Sequence, residues 1–157
     1  MENFLTRIVI KLLDTVSRFS WKSLYRFSDV LRFFIFDVFH YRQKVILTNL
    51  RNSFPQEKED TIQEIAKKYY QNFTDIIFET IKLRSISKSD LLNRFEAESD
   101  ILDHYYAQKK NLVVVAGHLG NWEMLNLFGS LRFRYQMVVV YHQLANQTFD
   151  NWLEKYN

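Results

Sequence analysis

The sequence contains no cysteine, one proline and three glycines among its 157 residues. The absence of cysteine excludes disulfides, thiolate catalysis and cysteine-ligated metal sites. The scarcity of glycine weighs against a nucleotide-binding loop, because only Gly117 and Gly120 flank the relevant turn and the phosphate fingerprint needs three glycines. Charged residues interrupt the amino-terminal segment, so we expect no secretory signal. The chain is long enough for one domain with a core.

The sequence is rich in aromatic residues, and its charge is unevenly distributed. Phe, Trp and Tyr make up 17% of the chain, and Phe alone occurs 14 times. Residues 1–52 hold nine Lys and Arg against four Asp and Glu, a net charge of +5, whereas the remainder carries −2. A basic, aromatic segment of this kind suits nucleic acid or an anionic membrane surface.

Two amphipathic segments at the amino terminus favour the membrane surface. From Phe4 to Phe19 the apolar residues cover about half the circumference of a helix, and basic residues lie on the other half. The segment from Leu24 to His40 is rich in Phe but too often charged for a membrane span, which needs about 20 mainly apolar residues. We predict that residues 1–52 form a membrane-associated helical region lying on an interface. The alternative is that these helices pack onto the domain core.

Hydrophobic periodicity predicts a series of helices after Pro55, the only proline. Apolar residues from Ile62 to Ile81 recur at three and four residues, which indicates one long helix with a buried face. Cap-like residues and renewed periodicity predict shorter helices that begin near Ser87, Ser99, Asn121 and Asn146.

Two β-branched runs, Val113–Val115 and Met137–Tyr141, predict buried strands, and a short strand is predicted within residues 94–98. Nearly all-apolar runs of this kind are typical of a parallel sheet covered on both faces. The helix between the two valine runs would form a right-handed crossover. We therefore predict an α/β fold for residues 53–157.

The stretch Val113–Glu123 has the pattern of a strand, a turn and a helix. On one continuous helix His118 and Glu123 would lie about 140° apart around the axis and could not meet. With His118 in the turn and Glu123 in the first helical turn, the carboxylate can reach the imidazole. The flanking glycines supply the backbone freedom for this turn, and Asn121 is the candidate N-cap.

The same residues have ordinary structural explanations. An acid in the first turn of a helix is favourable beside the helix dipole, which accounts for Glu123 without catalysis. His118 would then be a turn residue hydrogen-bonded to the backbone. Asn121 and Trp122 either shape an acceptor site or cap and pack the helix. The other histidines, at positions 40, 104 and 142, are assigned structural roles.

Three stretches together resemble a known family. They are Tyr41-Arg42 with Lys44-Val45 running into Asn49-Leu50-Arg51-Asn52-Ser53-Phe54-Pro55, then Glu79-Thr80-Ile81-Lys82, and finally Gly117-His118-Leu119-Gly120-Asn121-Trp122-Glu123. In this order they are similar to the amino-terminal portion of the bacterial lipid A biosynthesis acyltransferases, the lauroyl and myristoyl transferases. The last stretch resembles the family signature of a histidine, four residues and an acid.

The resemblance implies a fold, a reaction and a location. The fold would be an incomplete αβα acyltransferase-type sandwich, with amphipathic helices before it and its carboxyl-terminal half absent. The reaction would move a fatty acyl chain from acyl carrier protein to a hydroxyl of a lipid A precursor at the cytoplasmic face of the bacterial inner membrane. The partners would be acyl carrier protein, the lipid A precursor and an anionic membrane surface. Nucleic acid, metal and any cofactor beyond the acyl carrier protein thioester are not expected.

The resemblance also implies roles for individual residues. His118 would be the general base, and Glu123 would orient its imidazole as the acid of a histidine-acid dyad. Gly120, Asn121 and Trp122 would bind substrate or stabilise the oxyanion through backbone N–H groups near the start of the helix. The alternative function is a truncated, non-catalytic, membrane-associated fragment that keeps the dyad but lacks the substrate-binding half.

Overall fold

The computed structural model describes residues 4–117, 119–140 and 145–154, and within these ranges all regular secondary structure is helical. A π-helical segment, Phe33–Val38, directly follows the second helix. The α-helices are α1 (Phe4–Ser17), α2 (Trp21–Arg32), α3 (Gln43–Ser53), α4 (Glu59–Lys82), α5 (Lys88–Leu92), α6 (Asp100–Ala107), α7 (Trp122–Arg132) and α8 (Gln147–Glu154). Residues 19–79 form one compact unit, and residues 1–18 with 80–157 form the other. The predicted domain boundary at residue 52 stays a prediction.

The prediction of an α/β fold is wrong. Within the described ranges, neither valine run nor residues 94–98 form a strand, so the parallel sheet and the incomplete αβα sandwich are absent there, and the helix between the two runs, α7, connects no strands. Tyr141, the predicted end of the second run, lies outside those ranges. Val113 and Val140 are 93% and 97% exposed, although both were expected to be buried. A strand exists only with a neighbour that completes its backbone hydrogen bonds, and the two runs do not pair with each other.

The helices lie largely where periodicity predicts them, because helical hydrogen bonds are local. The long helix after Pro55 is confirmed as α4, with Ile62 almost fully buried. Ser87 is confirmed as the N-cap of α5, since its hydroxyl accepts the backbone N–H of Asp90 at 3.1 Å. The helix predicted near Ser99 is confirmed as α6, although its periodicity does not bury Ile101, which is exposed.

In the unit of residues 19–79, α2 packs on α4 through polar side chains. The Ser28 hydroxyl is fully buried and donates to Thr74 Oγ1 at 2.9 Å, and the Tyr25 hydroxyl donates to Glu79 Oε1 at 2.8 Å. The buried apolar residues of this unit are Leu24, Leu47, Ile62, Ala66 and Tyr70. Hydrogen bonds between buried groups satisfy their polar atoms and fix the register of the two helices.

In the other unit, α1 is likewise held by polar contacts. Asp14 Oδ1 accepts the indole N–H of Trp152 at 2.9 Å and the Arg84 Nε–H at 3.3 Å. The Lys82 ammonium donates to the carbonyl of Ser17, the last residue of α1, at 3.0 Å. A cation at this end of a helix is favourable because carbonyl groups there lack partners within the helix.

Each of the two amino-terminal helices carries exposed apolar residues, which are called here the outward apolar face of that helix. On α1 it consists of the exposed residues Phe4, Leu5, Ile8, Val9 and Leu12. On α2 and the π-helical segment it consists of Phe27, Val30, Phe33, Phe34 and Val38. The usual amphipathic helix buries its apolar side against the core, whereas these helices leave many of their apolar side chains exposed. None of the helices in the described ranges is long and apolar enough to span a membrane.

The end of α3 is joined to the start of α4 by an ion pair. Arg51 donates from Nη2 and Nε to the two carboxylate oxygens of Glu59, at 2.7 and 3.0 Å. These hydrogen bonds from Arg51, followed by one from Gln63, lower the pKa of Glu59 from 4.5 to about 2. The paired form therefore stabilises the fold above pH 4.5 and loses this contribution as the pH falls through about 2.

Glu59→Gln is expected to remove this pH dependence. The stability advantage of the wild type over the variant should shrink as the pH is lowered from 4.5 to about 2. Urea unfolding at a series of pH values measures it, and Glu64→Gln on the exposed side of α4 provides the matched control. A difference between wild type and Glu59→Gln that stays constant over this range contradicts the expectation.

Candidate functional site

Four predicted site residues, Gly120, Asn121, Trp122 and Glu123, lie at the start of α7. Gly120 has a φ of +62°, a left-handed conformation that glycine adopts without the steric cost of a Cβ. Asn121 is confirmed as the N-cap of α7, because its Oδ1 accepts the backbone N–H of Met124 at 3.0 Å. The chain thus turns sharply at Gly120 and enters the helix with one of its first N–H groups satisfied.

Glu123 lies in the first turn of α7 and is exposed to solvent. Its Oε1 accepts the indole N–H of the half-buried Trp122 at 3.2 Å. In the described part of the chain, no other hydrogen bond to this carboxylate is formed. The contact was not predicted from sequence, because adjacent helical residues do not normally face each other and only the rotamers bring them together. One carboxylate oxygen therefore accepts a hydrogen bond from Trp122, and the second oxygen can accept a hydrogen bond from another donor.

The histidine of the predicted dyad lies outside the described residues. The structure consequently gives no distance between His118 and Glu123, and their contact stays a prediction. His142 also lies outside those residues. The two described histidines make local contacts that agree with structural roles: His40 Nδ1 lies 2.9 Å from the Phe36 carbonyl oxygen, and His104 Nε2 lies 2.7 Å from Gln108 Nε2.

The start of α7 is electrostatically suited to negative charge. Backbone dipoles aligned along the 11 residues of this helix place partial positive charge at its amino terminus. Backbone N–H groups at such a terminus bind anions and oxyanions. No cluster of His, Asp and Glu suited to a metal ion occurs in the ranges described. The electrostatics here therefore come from the backbone and from Glu123.

Aromatic packing holds the site helix in place. Phe128 is 1% exposed, and its ring centroid lies 5.0 Å from that of Phe95 and 6.0 Å from that of Phe133. A Cβ added to Gly129 would lie 2.7 Å from Met137 Sδ, so the segment after α7 touches the helix where only a hydrogen fits. These contacts fix the carboxyl-terminal half of α7 and leave its first turn open to solvent.

The second stretch of the resemblance has a structural role. Glu79 accepts the Tyr25 hydroxyl within the unit of residues 19–79, while Lys82 binds the end of α1 within the other unit. The first stretch forms α3 and its flanks, where Leu50 packs against the buried cluster. Neither stretch supplies a residue to the start of α7 in the described contacts.

Comparison with known families identifies one match. The model of the family described as bacterial lipid A biosynthesis acyltransferase matches residues 1–156. The matched range includes α1 to α8 and all three stretches discussed above. No curated protein and no solved structure matches the chain.

Proposed function

Because this chain belongs to the bacterial lipid A biosynthesis acyltransferase family, we propose that it moves a fatty acyl chain from acyl carrier protein to a hydroxyl group of a lipid A precursor. His118 acts as the general base, and Glu123 accepts a hydrogen bond from its ring. The family establishes acyltransferase chemistry in general terms. The acyl donor, the acceptor hydroxyl and the roles of the two residues are the content of the proposal.

The hydrogen bond between Trp122 and Glu123 is the observation that best supports the proposed His118–Glu123 dyad. It fixes Oε1 of the carboxylate at 3.2 Å from an indole nitrogen and so limits rotation of an otherwise exposed side chain. A carboxylate held in one orientation can select the tautomer of a histidine and stabilise the imidazolium that forms. A glutamate whose only role was to interact favourably with the helix dipole would not need a hydrogen bond from the Trp122 indole.

The reaction requires only proton transfer and acyl transfer. The acceptor hydroxyl loses its proton to His118 as its oxygen attacks the thioester carbonyl, which gives a tetrahedral intermediate. The carbon–sulfur bond then breaks, and the imidazolium returns the proton to the departing thiolate of acyl carrier protein. Atoms and charges balance without an acyl-enzyme intermediate. An imidazole suits both steps because its ordinary pKa lies near neutrality.

Gly120, Asn121 and Trp122 support this reaction from the start of α7. Gly120 and Asn121 immediately precede the helix, so their backbone N–H groups belong to the end of α7 where the helix dipole is positive. Donors placed there before the reaction stabilise the oxyanion of the tetrahedral intermediate. The Asn121 side chain caps the helix, and Trp122 holds Glu123, so both side chains position the site.

The direct test is acyl transfer by the purified protein in detergent. Acyl carrier protein charged with a labelled fatty acid is incubated with a lipid A precursor, and the label is expected in the lipid product. Denatured protein recovered from the reaction without acceptor should carry no covalent label, because no acyl-enzyme is formed. Label confined to free fatty acid would mean thioester hydrolysis and would contradict the proposed transfer.

We also propose that the protein lies at the cytoplasmic face of the bacterial inner membrane. The outward apolar face of α1 supports this, because five apolar side chains point to solvent while Asp14 and Ser17 face the protein. Arg7 and Lys11 are exposed on the same helix and can pair with anionic headgroups. Apolar burial into the lipid interface together with this electrostatic attraction is how amphipathic helices bind membranes.

Leu12→Glu is expected to weaken binding to anionic vesicles by at least about tenfold, because it removes apolar surface and adds a repelled charge. Leu12 is 60% exposed on the outward apolar face of α1, so the fold should tolerate the change. Gln56→Glu, in the exposed turn after α3, makes the same change in charge as a control. Vesicle flotation measures the effect, and equal flotation of the two variants would contradict interfacial binding through α1.

A further inference from the structure

A small hollow lies in the unit of residues 19–79, between α3 and α4. It encloses about 230 Å³, and its walls include Tyr41, Arg42, Val45, Asn49, Tyr69 and Phe73. The proposed acyl transfer gives this hollow no role, although four of these residues belong to the first stretch of the resemblance. The volume is smaller than the roughly 300–1,000 Å³ of pockets that enclose a complete drug-sized ligand. It suits a group the size of one lipid headgroup.

The residues that line this hollow, called here the Arg42 hollow, favour an anionic group attached to an apolar chain. No acidic side chain lines it, and in the described part of the chain the Arg42 guanidinium forms neither an ion pair nor a hydrogen bond. Tyr41, Tyr69 and Asn49, which also line the hollow, carry neutral hydrogen-bond donors, whereas the Tyr70 hydroxyl already donates to a backbone carbonyl. Val45 and Phe73 supply carbon surface. A guanidinium with nearby donors matches the oxygens of a phosphate group.

The backbone beside the hollow is unusual and firmly held. The π-helical segment ends just before it, and both His40 and Arg42 have left-handed φ angles, of 48° and 52°. Tyr41 lies between these two residues. The buried Tyr70 hydroxyl donates to the carbonyl of Tyr41 and so holds its backbone in place. Phe36 packs on the Tyr70 ring at 4.9 Å between centroids. These contacts hold Arg42 at the mouth of a preformed cavity.

Exposed apolar residues closely precede the hollow's first lining residue, Tyr41, in the chain. Phe34 and Val38 are exposed in the π-helical segment, and Phe39 is 70% exposed immediately before the left-handed turn. A surface that rests on lipid through these residues would bring the hollow to the level of the headgroups, where tyrosine and arginine are favoured. The occupant is therefore supplied by the same membrane.

We infer that the Arg42 hollow binds the phosphate headgroup of one phosphatidylglycerol molecule of the surrounding bilayer. Arg42 pairs with the phosphate, Asn49 and the tyrosine hydroxyls bind the phosphate and glycerol oxygens, and Val45 with Phe73 contacts the first carbons of the lipid. The absence of an acid in the wall favours an anionic lipid over one that carries an ammonium group. This inference rests on the proposed location at the membrane and not on the acyl transfer reaction.

The test is photolabelling of the full chain in detergent micelles that contain a photoreactive phosphatidylglycerol, followed by mapping of the labelled peptides. Micelles deliver lipid to the hollow whether or not the protein binds vesicles, so the result is independent of flotation and of acyl transfer. Wild type should be labelled within residues 41–49 or 69–73. Arg42→Gln removes the cation, and Val45→Trp fills the cavity without a change in charge. Each should lower this labelling by about fivefold or more, as expected for loss of one arginine contact to an anionic lipid.

Lys44→Gln is the matched control, because it removes the same charge from an exposed position on α3 that does not line the hollow. Its labelling should stay within about twofold of the wild type, and unlabelled phosphatidylglycerol should compete. Equal loss in Lys44→Gln and Arg42→Gln would reduce the effect to general surface charge and overturn the inference. Competition by the lipid A precursor alone, or by inorganic phosphate alone, would assign the hollow to the acceptor or to a free anion and would also overturn it.

Discussion

His118→Ala is expected to lower acyl transfer from acyl carrier protein by about 10²- to 10⁴-fold, the usual contribution of a positioned general base. The neutral acceptor hydroxyl is a poor nucleophile, so its attack on the thioester depends on a base such as the His118 imidazole. The loss should appear in kcat, because the proton is taken as the hydroxyl attacks and not when the lipid binds. Steady-state transfer of labelled acyl chains measures it.

His104→Ala is the matched control for this experiment. His104 is an exposed histidine of α6 that contacts Gln108, so the same substitution there should leave transfer near the wild-type rate. Thermal unfolding of both variants should match the wild type, which separates catalysis from folding. Near-wild-type transfer by His118→Ala would refute the dyad. The family membership would stand in that case, because it does not depend on this residue.

Phe128→Ala is expected to destabilise the unit of residues 1–18 and 80–157 by about 3–5 kcal/mol, the cost of removing a fully buried phenylalanine ring. The ring is 1% exposed and packs against Phe95 and Phe133, so its loss leaves a cavity beneath α7. Free energies of unfolding for small domains are about 5–15 kcal/mol, and the variant would lose a large share. Urea unfolding followed by tryptophan fluorescence measures the change.

Leu125→Ala on the same helix distinguishes burial from helix propensity. Leu125 is 41% exposed, and its truncation should cost less than about 1 kcal/mol. If both variants unfolded at the same urea concentration, the aromatic packing beneath α7 would not determine the stability of this unit. Activity measured well below the unfolding temperature should survive Phe128→Ala in part, because Trp122 and Glu123 lie at the opposite end of the helix.

The helices could be predicted from sequence, whereas the sheet could not. The periodicity from Ile62 to Ile81 and the cap at Ser87 depend on residues within one helix, and both predictions are confirmed. A valine run carries no such local information, because a strand depends on a partner elsewhere in the chain. The periodicity of α1 likewise reveals an apolar side without telling whether that side faces the protein or its surroundings.

The candidate site was predictable to the same extent. Sequence alone indicated the Gly120 turn and the Asn121 cap, since both depend on neighbouring residues. It gave no sign of the Trp122–Glu123 hydrogen bond, which depends on rotamers. The Arg42 hollow was not predicted either. No sequence pattern indicates a π-helical segment followed by non-glycine residues with left-handed φ angles.

The exposed apolar residues of α1 have a thermodynamic consequence. When this helix detaches in water, it exposes polar groups such as Asp14 and Ser17, while much of its apolar surface is already hydrated. Its release should therefore add little to the heat capacity of unfolding or to the dependence of stability on urea. In a medium of low dielectric constant the same polar contacts become stronger. At the membrane surface proposed above, we therefore expect α1 to be held more firmly than in water.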